Sequence, residues 1–179
     1  MRSLIYDVAV TLDGRISDAQ GGVAGFLQSG DHVDAYRARL EQYDTAIMGR
    51  RTYEFGYRWG MRPGDKPYPH MEHYVFSSTL QLPAASQVKV VRTDAVAFVS
   101  NLKAAPGGDI YLCGGGALAG ALLSARLIDR IVAKLNPAVA GAGVSLVADS
   151  VGAELALVDA RTYASGVVQL TYDVASSAH

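Results

Sequence analysis

Cysteine is nearly missing: Cys113 is the only one in 179 residues, so neither an internal disulfide nor a cysteine-based metal site can form. An excess of charge is missing too. The formal net charge of −1 gives no support to general binding of nucleic acid or of an acidic membrane surface. No apolar run is long enough to span a bilayer, and the N-terminal stretch meets Asp7 too soon for a secretory leader, so a soluble cytoplasmic protein is expected. His32 and His73 have no ligand-like spacing with Cys, Asp or Glu, and no metal site is expected. Repeats, linkers and low-complexity stretches are absent, and residues 1–179 read as a single domain. Hydrophobic residues make up 50% of the chain, enough for one substantial core.

Glycine is concentrated where it matters most. Residues 110–113, Ile-Tyr-Leu-Cys, form a short apolar run that stops at Gly114-Gly115-Gly116, and a helical pattern starts at once from Ala117. Side-chain-free residues between a strand and a helix let a ligand approach the backbone, and the bare N–H groups of the helix start favour an anion. The order matches neither a full G-x-G-x-x-G fingerprint nor a Lys-Ser/Thr phosphate loop, and a tight turn is the plain alternative. The arrangement recurs at Thr45-Ala-Ile-Met-Gly49-Arg50-Arg51-Thr52-Tyr53. There a strand ends at a glycine, followed by two arginines suited to phosphate and a threonine hydroxyl. Two such turns fit a ligand with more than one phosphate, such as a phosphorylated dinucleotide.

Strands are predicted at 4–10, 45–48, 73–77, 88–92, 110–113 and 129–135, with a closing hairpin of 155–163 and 167–174. Helices are predicted from an Asp31 cap, with Val33, Tyr36, Leu40 and Tyr43 on one face, from about Arg51, from an Asp94 cap to Lys103, and over 117–127. Residues 18–30 are irregular and long enough for a flap, and residues 57–71 read as a loop. Alternation of strand and helix predicts an α/β protein with a mostly parallel central sheet and an antiparallel C-terminal hairpin. Ligands of such sheets collect beyond the carboxyl ends of the strands. Residues 11–16, 49–52, 77–79, 92–93 and 113–117 all follow predicted strands and should converge there.

The motifs Leu12-Asp13-Gly14-Arg15-Ile16, Met48-Gly-Arg-Arg-Thr-Tyr-Glu54, Val75-Phe-Ser-Ser78 and Cys113-Gly-Gly-Gly116 together resemble the dihydrofolate reductase-like superfamily. The branch they look most like is the reductase domain of bacterial bifunctional riboflavin-biosynthesis deaminase-reductases, in a stand-alone form. The resemblance implies a three-layer fold, NADPH as cofactor, a homodimer, and reduction of a ribosylated, phosphorylated aminopyrimidine. It places Arg50 on the ribose 2′-phosphate, with Thr52 and the N–H groups around Arg51 on the pyrophosphate. Ser77 and Ser78 fall at the adenosine end, with Arg92 reaching toward the same 2′-phosphate as Arg50. Gly114, Gly115 and Gly116 fall along the pyrophosphate and nicotinamide ribose, with an unusual cis Gly–Gly bond implied, and the flanking Cys113 and Ala117 belong to the same cofactor site. One departure stands out: where a dihydrofolate reductase carries an acid on its first helix, this chain has Val33, flanked by Asp31 and Asp34.

For the substrate, Asp13 is the acid candidate and equally a turn residue of its Asp-Gly pair. Ile16 opens onto the same edge, and Tyr53 and Trp59 are candidates for an aromatic wall. Arg15, Arg58, Arg62, Lys66 and His70 are the cations available to a substrate phosphate. Cys113 reads as a small buried hydrophobe. The expected activity is an NADPH-dependent reductase acting on a small heterocycle, with no macromolecular partner other than a second copy. The alternatives are reduction of dihydrofolate or another pterin, a non-catalytic nucleotide-binding homologue, and a flavin-binding reductase.

Overall fold

A computed structural model describes residues 1–175; residues 176–179 lie outside the described residues. Ten strands and four helices follow one another as β1 (Leu4–Thr11), β2 (Arg15–Ser17), α1 (Asp31–Leu40), β3 (Tyr43–Gly49), α2 (Arg50–Phe55), β4 (Glu72–Phe76), β5 (Lys89–Val91), α3 (Ala95–Ala104), β6 (Asp109–Gly114), α4 (Gly116–Ser124), β7 (Arg130–Asn136), β8 (Val144–Ser145), β9 (Leu155–Thr162) and β10 (Val168–Val174). A 3-10 turn at Gly56–Trp59 extends α2.

Eight strands form one sheet in the order β5-β4-β3-β6-β1-β7-β10-β9. The pairs from β5 to β7 are parallel, and β10 joins β7 and β9 antiparallel. This is the expected parallel sheet with an antiparallel edge. The central strands are apolar almost throughout because both faces are covered. On one face Leu4, Tyr6, Val8, Ile47 and Leu112 pack against Val99 of α3 and Ala119 and Leu122 of α4. On the other, Ile5, Ala46, Met48, Tyr111 and Val132 pack against Leu40 of α1 and Tyr53 of α2. Three layers result.

Local expectations shift in three places. Tyr43 does not end the first helix: Gln42 N–H turns back onto the Arg39 carbonyl, and Tyr43 opens β3 with its ring stacked on Tyr111 at 5.2 Å. Asp31 is not the cap of α1, which is Gly30. Its carboxylate instead accepts the Ala164 N–H (3.0 Å) from the β9–β10 turn. A short β2–β8 ladder, too small for any sequence period to betray, bridges residues 15–17 and 144–145. Asp94 does cap α3, accepting the Ala97 N–H at 2.7 Å.

Candidate active site

Parallel pairing of β3 with β6 puts Met48 opposite Gly114, so the two glycine turns stand side by side at the carboxyl edge. Gly114 and Gly115 have φ of 153° and 107°, which side chains rarely adopt. A Cβ on Gly115 would stand 3.7 Å from the Gly49 nitrogen and from the Thr52 hydroxyl oxygen. Above Gly49 itself a Cβ would meet nothing within 4 Å. The result is a strip of bare backbone between α2 and α4. Every peptide bond among the described residues is trans, so the implied cis Gly–Gly bond is not there and positive φ carries the turn.

Gly116 belongs to a different contact. A Cβ there would meet the Ser145 carbonyl oxygen at 2.2 Å, and one on Gly120 would meet the Ala148 carbonyl oxygen at 1.7 Å. One face of α4 is therefore side-chain-free so that residues 144–148 can cross it. Ala117 is exposed in the first turn of α4.

Further along the edge, Arg50 reaches from the end of β3 to the turn after β4. Its Nε donates to Glu54 Oε1 and its guanidinium to the Thr79 hydroxyl, both at 2.8 Å. Ser77 Oγ accepts the N–H groups of Thr79 (3.2 Å) and Leu80 (3.0 Å), with Ser78 in the same turn. Arg92, just past β5, donates to the Leu80 carbonyl at 2.6 Å. Arg51 is exposed beside Arg50. Arg92, Ser77, Arg50 and Gly114 thus follow the strand order β5-β4-β3-β6, over roughly three inter-strand spacings, or about 14 Å.

Next to this strip opens a cavity of about 510 Å³ on the α1 and α2 face of the sheet. Thr52, Tyr53 and Cys113 line it, as do Ile16 and Trp59; Trp59 is 66% exposed and stands at the rim. Val23, Phe26 and Leu27 of the irregular segment 18–30 form another wall. The Tyr53 hydroxyl is committed to structure, accepting Gly64 N–H at 2.8 Å and donating to the Asp65 carbonyl at 3.1 Å, so only its ring faces the cavity.

Asp13 is not among the lining residues. The Thr11 hydroxyl (2.6 Å) and the N–H groups of Ala140 (3.0 Å) and Gly141 (2.8 Å) donate to its carboxylate. The Thr11 bond first, then the backbone bonds, hold its pKa down to about 2. It is a turn-locking carboxylate and not a proton donor. Of the five candidate phosphate cations, only Lys66 lines the cavity. Arg15 donates to Ser145 Oγ (2.7 Å), Arg62 pairs with Asp65 (3.3 Å), and His70 meets the Leu40 carbonyl (3.0 Å). Arg58 lies over the Phe55 ring.

The polar floor of the cavity was not anticipated. Asp7, fully buried in the middle of β1, pairs with Arg39 of α1 at 2.8 Å and Lys134 of β7 at 2.7 Å. Burial alone would raise the Asp7 carboxyl, but Lys134 and Arg39 outweigh it and hold the carboxyl below its ordinary value. Lys134 Nζ also lies 3.5 Å from the centre of the Tyr36 ring. Tyr36, Tyr68 and Tyr111 share hydroxyl contacts (2.8 and 3.3 Å), and the Tyr68 hydroxyl lies 3.7 Å from Cys113 Sγ. Burial pushes all three phenols and the thiol up, so each is neutral near pH 7. The available signal was a charge of each sign with apolar neighbours inside a strand, Asp7 between Tyr6 and Val8 and Lys134 between Ala133 and Leu135. Among the described residues no group of His, Cys, Asp or Glu could hold a metal, and no helix is long and apolar enough to cross a membrane.

Known proteins share this fold. The uncharacterized protein YyaP of Bacillus subtilis (strain 168) is 32% identical over 183 aligned residues, covering 96% of this chain and 94% of that one. The structure of a putative riboflavin biosynthesis protein from Shewanella sp. PV-4 superposes with a TM-score of 0.82 at 24% identity, covering 98% and 100% of the two chains. Dihydrofolate reductase from Enterococcus faecalis, solved with NADP(H), superposes with a TM-score of 0.63 at 16% identity and 97% coverage of both, so the fold is dihydrofolate reductase-like. The family model described as the RibD C-terminal domain matches residues 2–169, and the chain belongs to that family.

Proposed function

We propose that the protein is an NADPH-dependent reductase of a small, flat heterocycle of the aminopyrimidine or pterin kind. One observation carries this reading: Thr52 both lines the cavity and stands against Gly114 and Gly115, so a single side chain joins the bare glycine strip to the cavity. A dinucleotide fits these residues. Its diphosphate would lie over Gly49, Gly114 and Gly115, where no side chain intrudes, with the first N–H groups of α4 as donors. Its 2′-phosphate end would meet Arg50, with Arg92 and the Ser77–Ser78 turn alongside. The Enterococcus relative by fold, solved with NADP(H), supports the same cofactor.

When bound, the nicotinamide supplies the hydride. The chain's part is to orient and to exclude water. Ile16, Phe26 and Trp59 provide apolar walls for a planar ring, and segment 18–30 covers one side. Family membership favours a substrate of the riboflavin-biosynthesis type. The phosphate of such a substrate would find Lys66 on the cavity wall. Reduction of dihydrofolate is the weaker reading. Val33 lines the cavity where a helix acid would be needed, and Asp31 is bound to Ala164. We infer further that the working form is a homodimer, joined along the exposed edge strand β9.

Calorimetric titration with NADPH tests the cofactor half. Micromolar or tighter binding justifies a screen of aminopyrimidines, pterins and simple carbonyl compounds, followed by NADPH oxidation. Absence of binding would make the glycine turns purely structural and remove the reductase assignment.

A further inference from the structure

The reaction proposed above needs a proton as well as a hydride, and the cavity floor holds a cluster of charges that bears on its source. Asp7 is shared by two cations, Arg39 at 2.8 Å and Lys134 at 2.7 Å, and its side chain is completely buried. Among the described residues, the groups facing this cluster carry no compensating charge. Tyr36 packs on it from α1, Tyr43 from β3, Tyr111 and Cys113 from β6, and Tyr68 from the loop before β4; burial keeps each of these protonated and neutral. Gln169 of β10 accepts from Arg39 at 2.6 Å and is neutral. One positive charge in the cluster therefore has no buried partner, and low-dielectric surroundings oppose it.

Only one member can remove that charge. Arginine keeps its proton under all ordinary conditions, and Asp7 is already ionised. Lys134 can release a proton, and when it does, the Asp7–Arg39 pair stays behind as a neutral unit. Burial accordingly lowers the Lys134 pKa, and Asp7 counters only part of that. Lys134 also lines the cavity, so its proton has somewhere to go.

We propose that Lys134 is the proton donor of the reduction, with Asp7 and Arg39 as the positioning residues that keep its Nζ at the cavity floor. This rests on the reductase reading above. Hydride from the reduced nicotinamide dinucleotide forms a C–H bond at the carbon of a substrate C=N or C=O group. The π pair of that double bond moves onto the heteroatom. The heteroatom takes a proton from Lys134 Nζ, whose N–H bonding pair stays on the nitrogen as a neutral amine. Water recharges the amine after product leaves.

Four lysines, at 66, 89, 103 and 134, make a direct test practical. In protein labelled with carbon-13 at lysine Cε, the signal lost in Lys134→Arg identifies Lys134. It should titrate clearly below the ordinary lysine range. Titration within or above that range overturns the proposal even where no substrate is yet turned over. In the NADPH oxidation screen, Lys134→Arg should lower kcat about 10²- to 10⁴-fold, because a charge-preserving arginine cannot give up a proton. NADPH affinity should stay within about twofold. Lys134→Met, which leaves Asp7 with Arg39, should match it, so a folding defect of either variant does not decide the outcome. Near wild-type kcat in either variant would show a merely charge-balancing lysine. Failure of the underlying reading looks different: wild-type protein that binds no NADPH overturns both, whatever Lys134 does.

Discussion

Thr52 and Gly115 face each other across the paired ends of β3 and β6: a Cβ placed on Gly115 would lie 3.7 Å from the Thr52 hydroxyl oxygen. That is ordinary van der Waals contact, so the bare backbone at Gly115 is not forced by crowding. It is required by φ of 107° and by whatever occupies the strip.

Gly115→Ala should therefore act twice. Backbone strain should cost about 1–2 kcal/mol, a fall of several degrees in Tm. The added methyl should also weaken NADPH binding at least tenfold, as calorimetry would show. Gly166→Ala is the control, since Gly166 has φ of 87° in the β9–β10 turn, away from both glycine turns. It should lower Tm comparably and leave NADPH affinity intact. Equal loss of affinity in both would reduce the effect at Gly115 to general destabilisation.

Arg50 is held between Glu54 and Thr79, with its side chain 45% exposed. If it meets the 2′-phosphate, Arg50→Ala removes a charge-assisted hydrogen bond of about 1.5–3 kcal/mol. The Kd for NADPH should rise ten- to a hundredfold and that for NADH by less than twofold. Parallel losses for the two nucleotides would take Arg50 out of this role.

Sheet and layers were legible because the relevant signals are local. Apolar runs marked the buried strands, Asp94 marked a helix start, and the closing hairpin announced itself by its turn. Both glycine turns were legible for the same reason, though the crossing of residues 144–148 over Gly116 and Gly120 was not. The cavity floor was beyond local reading. Asp7 bonds Arg39 at a separation of 32 residues, and Arg39 bonds Gln169 at 130. Nothing in the intervening sequence links them until β1, β7 and β10 become neighbours. Asp13 carried two local readings, acid and turn, and its bonds to Thr11, Ala140 and Gly141 fit the turn.

Strand β9 is exposed along its whole length, including Leu157 at 59% and Val158 at 51%. An exposed edge strand bearing apolar side chains is a ready template for pairing with another chain. Light scattering should give twice the chain mass at micromolar concentration. Leu157→Lys should give the single-chain mass with little change in far-UV circular dichroism. A wild-type monomer under the same conditions would leave the homodimer without support.

His73, fully buried in β4, is held as a neutral ring by two backbone partners. Its Nδ1–H donates to the Met71 carbonyl at 3.0 Å, and its Nε2 accepts the Tyr68 N–H at 3.3 Å. A second proton would have to sit on Nε2 and break the Tyr68 bond. Burial, with smaller effects from Lys66 and His70, lowers the His73 pKa from 6.5 to about 4. Between those two values the unfolded chain binds the proton and the folded chain does not, so stability must fall as pH drops from 6.5 to 4. The loss should total about 3 kcal/mol. Asp7 and Asp13, whose pKa values are lowered, contribute their own loss chiefly below this window. Urea unfolding at a series of pH values should show the slope, and His73→Gln should flatten it while lowering stability at neutral pH. Because Tyr68 lines the cavity and stacks on the His73 ring at 5.7 Å, the same protonation should loosen the cavity wall before the fold is lost. Amide hydrogen exchange at Tyr68 should accordingly speed up between pH 6.5 and 4 beyond its intrinsic pH dependence, and an unchanged protection factor there would place the acid sensitivity elsewhere.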